Sequence, residues 1–298
     1  MLRYTDLREL CRTQNEILFS SMELLRANHG SDVDDIADDI LGYLSHRPLP
    51  DALGSYLKCH ADLLAMAERF DRTSQYEASR YEEVVPLDRE LYNLRLLMSF
   101  ITTNHRFEIL QCLLDFFRAP VDANREILSI GVGTGYEVKL MHDHLAAADE
   151  WRISACDNSD EALAYADDLL RHFGRPTDSL WAKTFPLESG QDIAPYADRY
   201  GKIVLCEVLE HLEDPDQALE NLKIALHPRG HMFLTMAIKL PQEDHIFLYE
   251  SVEDARAQVR RHGLVIEQEL ATPATVFPFA DLEREHLRAG NYVCVVTK

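Results

Sequence analysis

The sequence has no run of about 18 apolar residues, the length a membrane-spanning helix needs, so none is expected. It has no CxxC pair: its six cysteines, Cys11, Cys59, Cys112, Cys156, Cys206 and Cys294, are scattered along the chain. That spacing argues against the usual structural zinc clusters and for reduced thiols in a cytoplasmic protein. Basic residues are few, with Lys+Arg 30 against Asp+Glu 51 and a formal net charge of −21. Partners that present a phosphate backbone or an anionic lipid surface require clustered positive charge, so nucleic acid and membrane are both disfavoured. The first ten residues alternate charged and apolar side chains and lack the apolar core of a signal peptide. Hydrophobic residues nevertheless make up 46% of the chain, so the acidity belongs to a folded protein and not to a disordered one.

Glycine is scarce early. Before residue 120 only Gly30, Gly42 and Gly54 occur, while apolar residues recur at helical intervals. Leu91, Leu94, Leu97 and Ile101 continue into Phe107, Leu110, Leu114 and Phe117, the spacing of long amphipathic helices. Asp32, Asp34, Asp35, Asp38 and Asp39 read as a solvated helix face, and Arg47–Asp51, with two prolines, as a helix break. From residue 126 short apolar runs alternate with helical stretches. The runs are Ile127–Ile130, Arg152–Cys156, Ile203–Cys206, Met232–Ala237, Val265–Leu270 and Tyr292–Val296; the helices fall near 136–148, 160–173, 215–226 and 251–262. This alternation predicts an α/β fold with a doubly wound, mainly parallel sheet. The last two strands, separated by an irregular segment, are expected to form an antiparallel edge. An N-terminal helical cap over 1–120 precedes the doubly wound domain over 121–298. The long cap also allows a homodimer.

The most informative stretch is Ile127-Leu-Ser-Ile-Gly131-Val-Gly133-Thr-Gly135-Tyr-Glu137, where a strand runs into alternate glycines and then a helix. Glycine there permits unusual backbone angles and lets a ligand approach the main chain. The second strand then ends in Asp157, an acid able to accept hydrogen bonds from both hydroxyls of a ribose. The GxGxG spacing differs from the GxGxxG of nicotinamide oxidoreductases. These residues resemble the class I S-adenosylmethionine-dependent methyltransferase family over about 120–298. The resemblance implies a seven-stranded Rossmann-like sheet, a cofactor-binding domain over 121–298 with the cap covering the substrate, and S-adenosylmethionine as cofactor, with Gly131, Gly133, Gly135 and Asp157 as its binding residues and Asn158 as an adenine contact. Ser129 stands where the family usually has an acid; Glu137 is the candidate substitute, or else a helix cap. Cys206, ending the fourth strand, completes the cofactor-side residues, and the Lys183–Glu188 loop falls where the family often places adenine contacts.

The second signature is Glu207-Val-Leu-Glu210-His211-Leu-Glu-Asp-Pro215 at the end of the fourth strand. It resembles the ubiquinone-biosynthesis-like methyltransferases, and ligands bind beyond the C-terminal ends of such strands. His227–Gly230 is expected to turn into strand five, and Asp244-His245 to end a polar loop before an aromatic helix start. Glu207, Glu210, His211 and His245 are the candidate catalytic residues. Three readings of them stay open: loop hydrogen bonding with Glu210 capping or facing solvent, an imidazole general base, or a divalent metal site suited to adjacent acceptor oxygens. A similar cluster binds metal in the small-RNA terminal 2′-O-methyltransferases, but the charge of −21 disfavours RNA here.

Tyr92, Phe100, Thr102, Thr103, Asn104, His105 and Arg106 are either cofactor or acceptor contacts or core, with His105 on a helix surface; His142 and His144 read as solvent-facing. Tyr249, Phe277 and Phe279 are pocket wall or packing. The expected activity is methyl transfer to an O, N or activated C of a small-molecule acceptor, in specialised metabolism. The alternative of another class is a non-catalytic cofactor-binding or partner-binding protein.

Overall fold

The computed structural model describes residues 3–46, 54, 56–58, 62, 65–66, 69–70, 72–73, 89–145, 151–181, 185–187, 192–240, 242, 244–273 and 290–298. Two compact units emerge: the described residues of 1–76, 86–110 and 272–290, and those of 111–271 and 291–298. Arg47–Asp51, Phe277 and Phe279 lie outside the described residues.

The first unit is helical. It contains α1 (Tyr4–Gln14), α2 (Glu16–His29), α3 (Ser31–Leu44), α4 (Arg89–Thr102) and the start of α5 (Asn104–Arg118), whose later part belongs to the second unit. Asn15 separates α1 from α2: its N–H donates to the Cys11 carbonyl at 2.7 Å, and its Oδ1 accepts from Leu18 N–H at 3.0 Å. One residue thereby closes one helix and caps the next. In α3, Val33, Ile36, Ala37 and Ile40 are buried while Asp32, Asp35 and Asp38 are exposed, so the acidic run is the wet side of an amphipathic helix. The α4–α5 junction departs from expectation. His105 is buried, not on a helix surface, as are Thr102, Thr103, Asn104 and Arg106. Their polar atoms find partners inside: Thr102 Oγ1 lies 2.5 Å from Tyr56 Oη, Asn28 Nδ2 donates to Asn104 Oδ1 at 3.1 Å, and the Arg106 guanidinium sits 5.0 Å over the Phe100 ring.

The second unit holds β1 (Glu126–Ile130), α6 (Tyr136–His144), β2 (Arg152–Cys156), α7 (Asp160–His172), β3 (Leu180–Trp181), β4 (Tyr200–Leu205), α8 (Pro215–Ala225), β5 (Leu226–Ile238), α9 (Val252–Arg261), β6 (Val265–Pro273) and β7 (Gly290–Thr297). The last residues of β6 and the first of β7 fall in the first unit. The strands form one seven-stranded sheet in the order β3-β2-β1-β4-β5-β7-β6, mostly parallel with an antiparallel edge. Strands β1 and β4 are buried almost throughout, which is why they read as short continuous apolar runs. Helices start where polar caps stand: Ser159 Oγ accepts from Ala162 N–H, Asp214 Oδ1 from Gln217 N–H, and Ser251 Oγ from Asp254 N–H. Pro215 occupies the first turn of α8, where its missing N–H costs nothing.

Three local expectations are corrected. His227–Gly230 is not a turn; it lies inside β5 as an irregularity, the register to β4 jumping from Tyr200↔Leu226 to Lys202↔His231. Ile246–Tyr249 is not a helix start: Tyr249 bridges Ile238, and its Oη donates to Gln258 Oε1 at 2.6 Å in the core. His142 and His144 are half-buried, not solvent-facing, and burial lowers both pKa values.

The chain visits β1, β2 and β3 in one direction and then returns through β4 and β5 in the other. The β1–β4 boundary is therefore the topological switch point, with a crevice beyond the C-terminal ends of those strands.

Candidate functional site

The turn after β1 borders that crevice. Gly131, Gly133 and Gly135 adopt φ of 73°, 49° and 79°, in the left-handed region that side chains disfavour. Gly131 N–H donates to the Cys156 carbonyl at 2.9 Å, and Gly135 N–H to the Val132 carbonyl at 2.8 Å, so the turn is tight. Space also demands these glycines. A Cβ on Gly131 would lie 2.4 Å from Val208 Cγ2, and one on Gly135 would lie 2.6 Å from Ala166 Cβ on α7. The Gly131–Val208 approach brings the loop after β1 against the loop after β4. Gly135→Ala is expected to destabilise the second unit by about 3 kcal/mol, combining φ strain with overpacking. Urea unfolding of wild type and variant checks this.

Asp157 links the turn to β2. Its Oδ2 accepts from Gly133 N–H at 3.1 Å and its Oδ1 from Ser159 N–H at 2.9 Å. A carboxylate has about four lone-pair sites, so capacity remains for two further donors. The side chain is half-buried, and helix α7 is capped by Ser159 instead. Asn158 beside it is exposed; Glu137 is half-buried in the first turn of α6, whose N-cap is Gly135. Cys206 is half-buried directly after β4. Of the Lys183–Glu188 loop only Phe185–Leu187 is described, and Phe185 and Leu187 are core.

Beyond β4 the four candidate catalytic residues separate into two groups. Glu207 has φ of 53°, unusual for a residue with a side chain. Its N–H donates to Thr235 Oγ1 at 2.7 Å, while Thr235 Oγ1–H donates to Glu207 Oε1 at 2.6 Å. Asn291 Nδ2 reaches both carboxylate oxygens, at 2.9 and 2.7 Å. Residues from β5 and β7 thus hold Glu207 by backbone and side chain together.

Glu210, His211 and His245 form the second group, with one ligand atom from each lying within 4.8 Å of the others. Glu210 is fully buried, so it neither faces solvent nor caps a helix on the surface. The short 3₁₀ turn Leu209–His211 presents the first two, and the following loop is fastened to it: the Glu210 carbonyl accepts from Ile246 N–H at 2.7 Å and Phe247 N–H at 2.8 Å. His211 Nδ1 lies 2.7 Å from the Asp244 carbonyl, and His245 Nδ1 lies 2.7 Å from the Leu240 carbonyl. The rings meet edge to face, centroids 5.0 Å apart. Burial, reinforced by the charge His211 can carry, pushes the His245 pKa down to about 4, so that imidazole is neutral at pH 7.

A family model for methyltransferase domains matches residues 103–272, more than half of the chain. The chain belongs to this methyltransferase family. The family is that of class I S-adenosylmethionine-dependent enzymes, with S-adenosylmethionine as its cofactor. An uncharacterized protein of Synechococcus sp. is 31% identical to this methyltransferase over 144 residues, a match covering 48% of this chain and 30% of that protein. The chain thus aligns with less than a third of that relative's length. Among solved structures, the phosphoethanolamine N-methyltransferase 2 of Haemonchus contortus, in complex with phosphomonomethylethanolamine and S-adenosylhomocysteine, superposes with a TM-score of 0.52 at 14% identity, covering 74% of this chain and 60% of that one. The mitomycin 7-O-methyltransferase MmcR superposes with a TM-score of 0.51 at 13% identity, covering 79% and 67%. At such identities the likeness is one of fold.

Gly131 and Gly135 are required by packing against Val208 and Ala166, and Asp157 keeps acceptor capacity beside them. Two residues of the candidate site carry no motif in the sequence: Thr235 and Asn291, the holders of Glu207. Thr235 could have been noticed as the one polar residue within Met232–Ala237. Asn291 carries no local signal; only the pairing of β7 into the sheet brings it to Glu207.

Proposed function

We propose that the protein transfers the methyl group of S-adenosylmethionine to an oxygen, nitrogen or activated carbon of a small-molecule acceptor, in specialised metabolism. The observation that carries this reading is the approach of Gly131 to Val208, which joins the cofactor-type turn to the loop bearing Glu207, Glu210 and His211 at the switch point. Bound S-adenosylmethionine supplies an electrophilic methyl on a sulfonium whose departing thioether is neutral, so no protein acid is required. Gly131, Gly133 and Gly135 would let the cofactor approach the backbone, and Asp157 would accept from its ribose hydroxyls. Asn158, Glu137 and Cys206 are the secondary contacts in this reading.

Glu207 stands at the C-terminal end of β4 with its carboxylate oriented by Thr235 and Asn291, suited to accepting a hydrogen bond from an acceptor hydroxyl or amine. His245 is too poor a base at pH 7 to take a proton from the acceptor. An acceptor hydroxyl is favoured, because a neutral hydroxyl is the nucleophile that needs such help. The charge of −21 supports a small molecule over RNA.

Calorimetry with S-adenosylhomocysteine, followed by methyl-transfer assays on phenols, catechols, hydroxy acids, amines and activated carbon acids, tests the proposal. Micromolar or tighter cofactor binding with turnover of at least one acceptor class is expected. Tight cofactor binding with no turnover across the panel would favour a non-catalytic binding protein, and no cofactor binding would end the proposal.

A further inference from the structure

We propose that Glu210, His211 and His245 form a binding site for one divalent first-row transition-metal ion, and that this ion selects acceptors offering two adjacent oxygens. The choice of acceptor rests on the methyltransferase reading; the metal site itself does not. Ligand atoms bonded to such an ion at about 2.0 to 2.2 Å stand at most about 4.4 Å apart. The three candidate atoms already lie within 4.8 Å, so closing on an ion requires a movement of well under 1 Å by each.

The two imidazoles carry a second, independent sign. A backbone carbonyl can only accept a hydrogen bond, so each Nδ1, 2.7 Å from the Asp244 or the Leu240 oxygen, bears the proton. In its neutral form each ring therefore has its lone pair at Nε2. Histidine ligands in metal sites are held in this way, with the other ring nitrogen donating to a carbonyl or carboxylate that sets tautomer and orientation. Two histidines from separate segments have the same arrangement. The segments themselves are clamped by the hydrogen bonds from Ile246 and Phe247 N–H to the Glu210 carbonyl, so the set is organised before any ion arrives.

Two imidazoles and one carboxylate suit Zn²⁺, Mn²⁺, Fe²⁺, Co²⁺ or Ni²⁺ better than Ca²⁺ or Mg²⁺, which prefer all-oxygen shells. Three protein ligands leave positions open. Glu207 is not among the ligands, since Thr235 and Asn291 hold its carboxylate. Water fills the open positions at rest, and a pair of neighbouring hydroxyls, or a hydroxyl beside a carbonyl, can displace it as a chelate. Coordination lowers the pKa of a hydroxyl. In the transfer, the acceptor O–H proton leaves to solvent, an O–C bond forms to the methyl, and the C–S bond breaks with its electron pair staying on sulfur.

The test uses the full chain, stripped with a chelator and titrated with Co²⁺ by visible absorption and with Zn²⁺ and Mn²⁺ by calorimetry. One equivalent is expected, with Glu210→Gln, His211→Ala and His245→Ala each weakening binding at least tenfold. His262→Ala, at the C-cap of α9 where the ring pairs with Asp216 and Glu220, keeps wild-type affinity. S-adenosylhomocysteine binding, measured on the same preparations, verifies folding and reports separately on the methyltransferase reading. Absence of a saturable equivalent for all three ions, in protein that binds S-adenosylhomocysteine, overturns the metal site alone. Metal binding of equal strength in the Glu210→Gln variant overturns it as well. Saturable metal binding without S-adenosylhomocysteine binding overturns the methyltransferase reading and leaves the site standing.

Discussion

Asp157→Ala is expected to weaken binding of S-adenosylhomocysteine by on the order of a hundredfold, leaving the fold intact. The size follows from what one carboxylate does. Hydrogen bonds to a charged group contribute about 1.5 to 3 kcal/mol each, and two ribose hydroxyls would be lost together. The same substitution frees Gly133 N–H, whose bond to Oδ2 at 3.1 Å fastens the glycine turn, so some preorganisation goes as well. Asp157→Asn preserves shape and part of the acceptor capacity and should lose about tenfold. Calorimetry on the two variants decides: affinities within threefold of wild type would remove Asp157 from the cofactor site. Because Asp157 is half-buried and helix α7 is capped by Ser159, thermal stability should fall little.

Lys202→Met is expected to lose about 3 kcal/mol of stability. Lys202 lies in the centre of β4, 1% exposed, yet it ends in an ammonium group. Its Nζ donates to the Phe116, Phe117 and Ala119 carbonyls at 2.6, 2.9 and 2.7 Å. These belong to the C-terminal end of α5, where carbonyls lack helical partners and the helix dipole favours a positive charge. The rings of Phe116 and Trp151 lie 5.0 and 5.3 Å from Nζ and add cation–π attraction. Burial lowers the lysine pKa to about 8, so at pH 7 the group keeps its charge and all three N–H donors. Methionine matches the stem but satisfies none of the carbonyls. Chemical denaturation should show the midpoint shifted down at unchanged slope, and a shift smaller than about 1 kcal/mol would mean that water replaces the amine.

Lys202 also illustrates what was hidden from the chain itself. In Tyr-Gly-Lys-Ile-Val-Leu it looks like a charged residue at a strand's start, and nothing local says that it caps a helix some eighty residues earlier. Glu210 is similar: a carboxylate between Leu209 and His211 reads as solvated, but the turn buries it completely. His105, in a polar Thr-Thr-Asn-His-Arg run, reads as a helix-surface residue, but the helical unit encloses the whole run. By contrast, β1, β2, α7 and the start of α6 are legible nearly to the residue. Their apolar runs, glycines and caps act within a few neighbours, so period and punctuation suffice.

The sequence by itself therefore determined the strand–helix alternation, the glycine turn with Asp157, and the excess of acidic over basic residues. These rest on short-range geometry and on summed charge, which any reader of the chain can count. Only the tertiary structure decided how the four candidate catalytic residues divide. Glu207 goes to Thr235 and Asn291, from strands that follow β4 in the chain by many residues, while Glu210 and His211 meet His245. The physical reason is that side chains at strand ends are sorted by the register and order of the sheet. Neither quantity is encoded in the spacing of Glu207, Glu210 and His211 alone.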